Sequence, residues 1–145
     1  AFGAKVTLTS AAGSMEEARD YAVEKVAKGG YLMLNQFDNP DNYMAHYFTT
    51  GPEIWRDTME SVTHFVSSMG TNGTIMGTSK FLKEVKPEVQ IVGCQPTEGS
   101  KIPGIRRWPK EYLPKIFNPG MVDRTMDISE AEAREMTKKL ALVEG

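Results

Sequence analysis

The chain has 145 residues, enough for one domain with a single core. Its 17 basic and 19 acidic residues give a net charge of −2, which argues against nucleic acid or an anionic membrane as a partner. No apolar run approaches the roughly 20 residues of a spanning helix, and the single cysteine, Cys94, excludes an internal disulfide. We therefore expect a cytoplasmic protein with no membrane partner.

The first part of the chain is predicted to contain a helix between two strands. Residues 5–9 and 31–34 carry the apolar and β-branched side chains of short strands. Between them, Ser14-Met15-Glu16-Glu17 has the capping-box pattern of a helix N-terminus. That helix is expected to end at Gly29-Gly30, since glycine commonly follows the last helical turn.

Two short helices are predicted next. The turn at residues 39–42 can start a helix that continues to about Phe48. Thr50 can cap the following helix, which has Pro52 in its first turn. No internal repeat or low-complexity tract interrupts this region.

The remaining elements continue the alternation of strand and helix. Residues 63–66 are short, apolar and β-branched, which predicts a buried strand, and the helix after them is ended by Pro87. Further strands are predicted at 89–94 and 122–128. Ser129-Glu130-Ala131-Glu132 is a second capping box, followed by a helix to about residue 143. This order predicts an α/β fold with a parallel sheet and flanking helices.

The turn Gly70-Thr71-Asn72-Gly73-Thr74 lies between a predicted strand and a predicted helix. Its backbone N–H groups would meet at a helix N-terminus, which favours an anion. Gly70 and Gly73 leave room for a phosphate and permit positive φ, and Thr71, Asn72 and Thr74 can bind its oxygens. The spacing is neither a dinucleotide fingerprint nor a P-loop. On the residues alone, a phosphate site and an ordinary tight turn are equally open.

This turn resembles the G-T-x-G-T phosphate loop of the pyridoxal-phosphate enzymes of the cysteine synthase and cystathionine β-synthase group. Residues 35–42 and 49–55 resemble two further signatures of that group. Ile102-Pro103-Gly104-Ile105-Arg106-Arg107-Trp108-Pro109 is most similar to its B-type cysteine synthases. The four motifs stand in the right order, and the resemblance covers essentially the whole chain. It implies a fold type II pyridoxal-phosphate enzyme, similar to the tryptophan synthase β subunit.

The resemblance implies pyridoxal 5′-phosphate as cofactor and β-replacement as reaction. O-Acetylserine would react with sulfide or thiosulfate to give cysteine or S-sulfocysteine, in a homodimer. The cofactor phosphate would be bound by the turn from Gly70 to Thr74. The substrate-binding residues implied are Gln36, Gly104, Ile105, Arg106 and Arg107. Gln36 would contact the substrate carboxylate or the cofactor's edge, Gly104 and Ile105 would line the pocket, and at least one arginine would bind an anionic second substrate.

The resemblance also predicts the domain organisation. Residues 1–35 would end the smaller N-terminal domain, and 36–145 would form part of the larger cofactor-binding domain. Residues 97–120, which carry no periodicity, would be an ordered loop lining the active site. The family's Ser-x-Lys-Asp-Arg setting of the Schiff-base lysine does not occur in this sequence. We therefore expect the central piece of a longer protein, with an incomplete fold, no catalytic residue of its own, and no activity alone.

Two alternatives remain open. The chain could be a non-catalytic module that binds a phosphate ligand or a partner protein. It could also belong to another member of the same group, such as cystathionine β-synthase, although Arg106-Arg107-Trp108 argues against this. His46 and His64 have no partner at metal-ligand spacing, so we interpret both as structural and expect no metal. Trp108 is interpreted as a packing residue, and Cys94 as a small buried apolar residue.

Overall fold

The computed structural model describes residues 2–145, which divide into two compact units, 2–35 and 36–145. The first unit contains one helix, α1 (Ser14–Ala27), between two segments without regular structure. The assignment of the two units to a smaller and a larger domain stays a prediction.

The strands predicted at 5–9 and 31–34 are not formed. Val6 and Leu8 are 75% and 89% exposed, and Leu32 is 89% exposed. A strand is stabilised by hydrogen bonds to a neighbouring strand, and no described segment pairs with either stretch. The sequence pattern was therefore insufficient to produce strands here.

Helix α1 begins at the predicted residue but with a different cap. The residue at the N-cap position is Gly13, which has no side chain to cap the helix, and Ser14 is the first helical residue. Instead, the Glu17 carboxylate accepts hydrogen bonds from the Ser10 amide (3.2 Å) and from the Ser10 hydroxyl. The Ser10 hydroxyl oxygen in turn accepts one from the Gly13 amide at 3.0 Å. The predicted capping box is wrong, because the partner of the glutamate lies in the preceding loop.

The second unit is a parallel three-stranded sheet with helices, which confirms the predicted fold class. The sheet order is β1-β2-β3, all parallel. The elements are, in chain order, α2 (Asp41–Phe48), α3 (Thr50–Asp57), β1 (His64–Ser68), α4 (Gly73–Val85), β2 (Gln90–Pro96), β3 (Arg124–Ile128) and α5 (Glu130–Val143). Helix α4 crosses between the first two strands, and α2 and α3 pack on it. The buried core lies between α4 and the sheet and includes Ile75, Leu82 and Ile91.

Several local predictions in this unit are confirmed and two need correction. Helix α5 begins with the predicted capping box, in which the Glu132 carboxylate accepts from the Ser129 amide at 2.8 Å. The region 97–120 contains no helix or strand beyond the short 3-10 turns Lys110–Tyr112 and Pro119–Met121, as its lack of periodicity predicted. Thr50 is the first residue of α3 and makes no capping bond, so that prediction is wrong. The prediction of a buried strand at residues 63–66 also needs correction, because β1 is partly exposed.

Strand β1 alternates between exposed and half-buried residues, and Val66 is 59% exposed. It lies at the edge of the described sheet, and Phe65, the residue before Val66, packs against the core. In a strand that packs against the protein on one face only, burial alternates from residue to residue. The apolar composition of residues 63–66 had instead suggested a strand buried on both faces.

A glycine brings helices α2 and α4 into backbone contact. A Cβ added to Gly77 would lie 2.0 Å from the carbonyl oxygen of Tyr43 and 2.8 Å from Cβ of His46. The close neighbour of Gly77 is therefore α2, not the sheet. Only a residue without a side chain permits this approach, since a backbone carbonyl cannot move as a side chain can.

We predict that Gly77→Ala lowers the free energy of unfolding of the full-length protein by about 1–3 kcal/mol, the usual cost of overpacking. In the absence of the clash, alanine would raise helix stability by about 1 kcal/mol. Urea unfolding measures the sign of the change in the free energy of unfolding, which decides between overpacking and the gain in helix propensity. A variant more stable than the unsubstituted protein would contradict the close contact of Gly77 with α2.

The carboxylate of Asp123 holds the start of β3 against β2. Its Oδ2 accepts hydrogen bonds from the Ile91 amide (2.7 Å) and the Lys83 ammonium (2.8 Å). The Asp123 amide donates to the Ile91 carbonyl at 2.9 Å. The hydrogen bond from Lys83, and after it the one from the Ile91 amide, lower the pKa of Asp123 below its usual value.

Because the pKa of Asp123 is lower in the folded state, its contribution is present above the unfolded-state pKa and is lost as the pH falls through the folded-state value. We predict that Asp123→Asn lowers the unfolding temperature at neutral pH. The difference from the unsubstituted protein should shrink in acid. A difference that stays constant from pH 7 down to pH ~3, below the usual carboxyl range, would contradict this role.

Candidate phosphate-binding site

The turn between β1 and α4 lies at the carboxyl end of a parallel strand, where ligands bind in open α/β sheets. Strand β1 ends at Ser68, and α4 begins at Gly73. The left-handed residue of the turn is Asn72, with φ 72°. We expected a glycine in this role, but Asn also adopts this conformation at modest cost.

The first turn of α4 offers unpaired donors. Met76 is the first residue whose amide bonds back along the helix, to the Asn72 carbonyl at 3.0 Å. Among residues 2–145, the amides of Thr74 and Ile75 have no protein acceptor. The first turn also contains no acidic residue. Such a helix N-terminus attracts an anion through its free N–H groups and its partial positive charge.

Both threonine hydroxyls of the turn are contacted by α2. The Thr71 hydroxyl oxygen accepts hydrogen bonds from the Asn42 side-chain amide (3.3 Å) and from the Gly73 backbone amide (3.4 Å). The Thr74 hydroxyl lies 3.3 Å from Nε2 of His46. Asn42 is not among the site residues predicted from the sequence, and His46 is predicted there to be structural. Their separation of four residues, which places both on one helix face, was the available signal.

The turn has one buried polar atom without a protein partner among the described residues. Asn72 is only 4% exposed, and its side-chain oxygen has no partner within residues 2–145. Rotation of this amide about its last bond would direct its NH₂ group, a donor, to the same point. Together with the free amides of α4, the turn provides donors and no charge, so the residues present fit a phosphate.

Both glycines of the turn lie close to other parts of the protein. A Cβ on Gly73 would lie 2.0 Å from Oδ1 of Asn42, and one on Gly70 would lie 2.9 Å from the Gly104 carbonyl oxygen. We expected these glycines to make room for the phosphate itself. The structure instead shows that they let α2 and the 102–109 segment approach the turn.

The 102–109 segment is fastened to the turn by two hydrogen bonds. The Arg106 amide donates to the Met69 carbonyl at 2.9 Å, and the Trp108 indole N–H donates to the Gly70 carbonyl at 2.6 Å. Trp108 also packs edge-on against Phe37, with ring centroids 5.4 Å apart. Trp108 therefore does more than fill space, and our interpretation of it as packing was incomplete.

The predicted substrate-binding residues lie around this turn to different degrees. Gly104 contacts the turn directly and takes a left-handed conformation, φ 85°. Gln36 is exposed, and its backbone carbonyl accepts a hydrogen bond from the Asn42 side chain at 2.6 Å. Asn42 thus connects Gln36 to Thr71. Ile105 is half-buried.

The two arginines are in different environments. Arg107 donates from Nε to the Pro96 carbonyl at 2.9 Å and forms an ion pair with Asp127. A hydrogen bond from Gln95, and after it the contact with Arg107, lower the pKa of Asp127. The guanidinium of Arg106 lies 5.8 Å from the centroid of the Trp108 ring. Arg107 is therefore tied to the ends of β2 and β3, and Arg106 is the one beside the turn.

In the described part of the chain, no group of three or more His, Cys, Asp or Glu residues could hold a metal ion. None of the described helices is long and apolar enough to cross a membrane. Cys94 is half-buried, less than we expected, and burial raises the pKa of its thiol, which favours the protonated form.

Comparison with known proteins identifies the class. The family model described as pyridoxal-phosphate dependent enzyme matches residues 1–145, and the chain belongs to this family. It is 57% identical to the cysteine synthase B of Pseudomonas aeruginosa and 54% identical to that of Escherichia coli, over 145 residues in each case. The chain spans 48% of the length of each of these relatives.

A solved structure agrees with this classification. The cysteine synthase of Entamoeba histolytica has a TM-score of 0.85 at 33% identity, over 99% of this chain and 45% of that one. The predicted fold class and family are confirmed, and with them pyridoxal phosphate as the family's cofactor. The roles of the individual site residues stay predictions.

We predict that Trp108→Phe weakens cofactor binding by the full-length protein about fivefold, the equivalent of about 1 kcal/mol for one hydrogen bond. The loss of the indole N–H would free the Gly70 carbonyl and loosen the turn. Fluorescence or absorbance titration with pyridoxal phosphate measures the effect. Trp55→Phe is the matched control, since Trp55 lies on α3, and equal losses in the two variants would contradict the role of Trp108.

Proposed function

We propose that the protein to which this chain belongs is a pyridoxal-phosphate-dependent cysteine synthase. It would replace the acetoxy group of O-acetylserine with sulfide or thiosulfate, giving cysteine or S-sulfocysteine. The observation that carries the proposal is the turn at residues 70–74, where free helix amides and two threonine hydroxyls meet with no acidic side chain in the first turn of α4. The identity to cysteine synthases of the B type supports the choice of reaction.

The cofactor would be anchored through its phosphate. The amides of Thr74 and Ile75 and the hydroxyls of Thr71 and Thr74 are the donors available, and the α4 dipole favours a doubly negative group. When bound, pyridoxal phosphate supplies an electron sink for negative charge at the substrate's α-carbon. The residues of this chain bind and orient the cofactor, and no proton-transfer role is assigned to them.

The substrates would meet the segments beside the turn. Gln36 is proposed to contact the amino-acid carboxylate or the cofactor's edge, and Gly104 and Ile105 to line the pocket. Arg106 is proposed to bind an oxyanion of thiosulfate, because a guanidinium can donate two parallel hydrogen bonds to such a group. Arg107 would instead keep the segment in place through Pro96 and Asp127. A homodimer in the cytoplasm is proposed on the resemblance alone.

The direct test uses the full-length protein with pyridoxal phosphate. We expect a visible Schiff-base absorbance band, and cysteine formation from O-acetylserine and sulfide. Without a band, the cofactor proposal is rejected. A band without cysteine formation would favour the alternative of a non-catalytic module. Use of homocysteine in preference to sulfide or thiosulfate would favour a cystathionine β-synthase.

We predict that Arg106→Ala lowers the kcat/KM for thiosulfate about tenfold more than that for sulfide. Loss of a charge-assisted hydrogen bond costs about 1.5–3 kcal/mol, and about 1.4 kcal/mol corresponds to a factor of ten. Sulfide offers no oxyanion to the guanidinium, so its use should change little. Arg107→Ala is the control and should lower both values alike. If Arg106→Ala lowers both values equally, the assigned role of Arg106 is wrong.

A further inference from the structure

We propose that α2 is a positioning element of the phosphate site: Asn42 and His46 orient the hydroxyls of Thr71 and Thr74 so that both donate their protons to the phosphate. The inference rests on the proposed function, since it concerns the same site. Neither residue needs to touch the phosphate itself. They would act by occupying the lone pairs of the two hydroxyl oxygens.

The contacts of the Thr71 hydroxyl group leave only its hydrogen available to a ligand. A hydroxyl group has one hydrogen to donate and two lone pairs that accept. The Thr71 oxygen already accepts from the Asn42 side-chain amide at 3.3 Å and from the Gly73 amide at 3.4 Å. Both lone pairs are therefore used, and only the hydrogen is left for a ligand. A phosphate oxygen, which can only accept, is the partner that this arrangement suits.

The contacts of Thr74 form a chain through His46. Nδ1 of His46 lies 2.9 Å from the Thr50 hydroxyl, and Nε2 lies 3.3 Å from the Thr74 hydroxyl. If Thr50 donates to Nδ1, the neutral ring carries its proton on Nε2 and donates it to the Thr74 oxygen. The Thr74 hydrogen is then not used by His46 and is left for an acceptor, such as an anion that also accepts from the free amides of α4. Hydrogen bonds in such a chain strengthen one another.

The packing of α2 keeps both side chains at this distance. Oδ1 of Asn42 occupies the space that a side chain on Gly73 would need, and the backbone of α2 at Tyr43 occupies that of Gly77. Asn42 and His46 are one helical turn apart, as are Gly73 and Gly77. Each of the two glycines of α4 therefore lies opposite one of the two polar residues of α2. This pairing is the second, independent observation behind the proposal.

A purely structural role for His46 makes a different prediction. If the residue only stabilised the contact of α2 with α4, its replacement would lower stability and weaken binding of any ligand of the site. If it orients Thr74, replacement should weaken binding of the phosphate group selectively. Binding of pyridoxal, which lacks the phosphate, distinguishes the structural role from the positioning role. Its ring can still bind, so only a structural defect would weaken its binding.

The experiment measures the affinity of the full-length protein for pyridoxal phosphate and for pyridoxal. The His46→Gln variant keeps a donor near the position of Nε2, and His46→Asn keeps only a group near Nδ1. We expect His46→Asn to weaken pyridoxal phosphate binding about fivefold, the worth of one hydrogen bond, with pyridoxal binding unchanged. His46→Gln should restore most of the loss. Asn42→Leu, of similar shape, should also lose phosphate selectivity.

Each result of these binding measurements supports or contradicts either the proposed function or the positioning role of α2. If the unsubstituted protein binds neither compound, the proposed function fails, and the inference falls with it. If it binds pyridoxal phosphate and the His46→Asn variant binds it equally well, or loses both ligands alike, the positioning role alone is overturned. Should His46→Asn fail to fold, Thr50→Val removes the first donor of the chain without altering α2. It should give a smaller loss in the same direction, and an unchanged selectivity would overturn the proposal.

Discussion

The backbone of α2 touches the backbone of α4 at Gly77, and the rest of the site depends on that contact. The glycine allows the Tyr43 carbonyl to come within a distance that any side chain would prevent. The same approach carries Asn42 and His46 to the turn at the start of α4. A contact between two helix backbones thus determines which side chains reach the candidate phosphate site.

The turn is held from its other side by the 102–109 segment. The hydrogen bonds to Met69 and Gly70 join a proline-rich, irregular stretch to the end of β1. The ion pair of Arg107 fastens the same stretch to β3. Three consecutive residues, 106–108, therefore hold this irregular segment against both the turn and the sheet. This explains why two adjacent arginines have different environments, one beside the turn and the other at the sheet.

The sequence predicted best what depends on neighbours along the chain. The β1-α4-β2 unit and the capping box of Ser129 follow from local apolar spacing and local hydrogen bonds, and both are present. The stretches at 5–9 and 31–34 have strand composition but no described strand to pair with. Sequence reasoning could not foresee that absence, because strand formation is decided by a partner segment.

The candidate site shows the same difference between local features, which the sequence predicts, and contacts with distant residues, which it does not. The turn at 70–74 could be predicted from its small residues between a strand and a helix. The left-handed residue was misplaced, because Asn and Gly both tolerate that conformation. The parts played by Asn42 and Trp108 involve residues 29 and 38 positions away in the chain. Contacts over such distances leave no periodic signal in a single sequence.

The absence of charged side chains from the turn has a consequence for ionic strength. A lysine or arginine that pairs with a phosphate acts through a field that dissolved ions screen over about 8–10 Å. The amides and hydroxyls at the start of α4 act as oriented dipoles, at hydrogen-bond distance and partly out of water. Salt weakens such short contacts much less. Affinity for a phosphate held in this way should therefore fall less with added salt than affinity for a phosphate paired with a lysine or arginine.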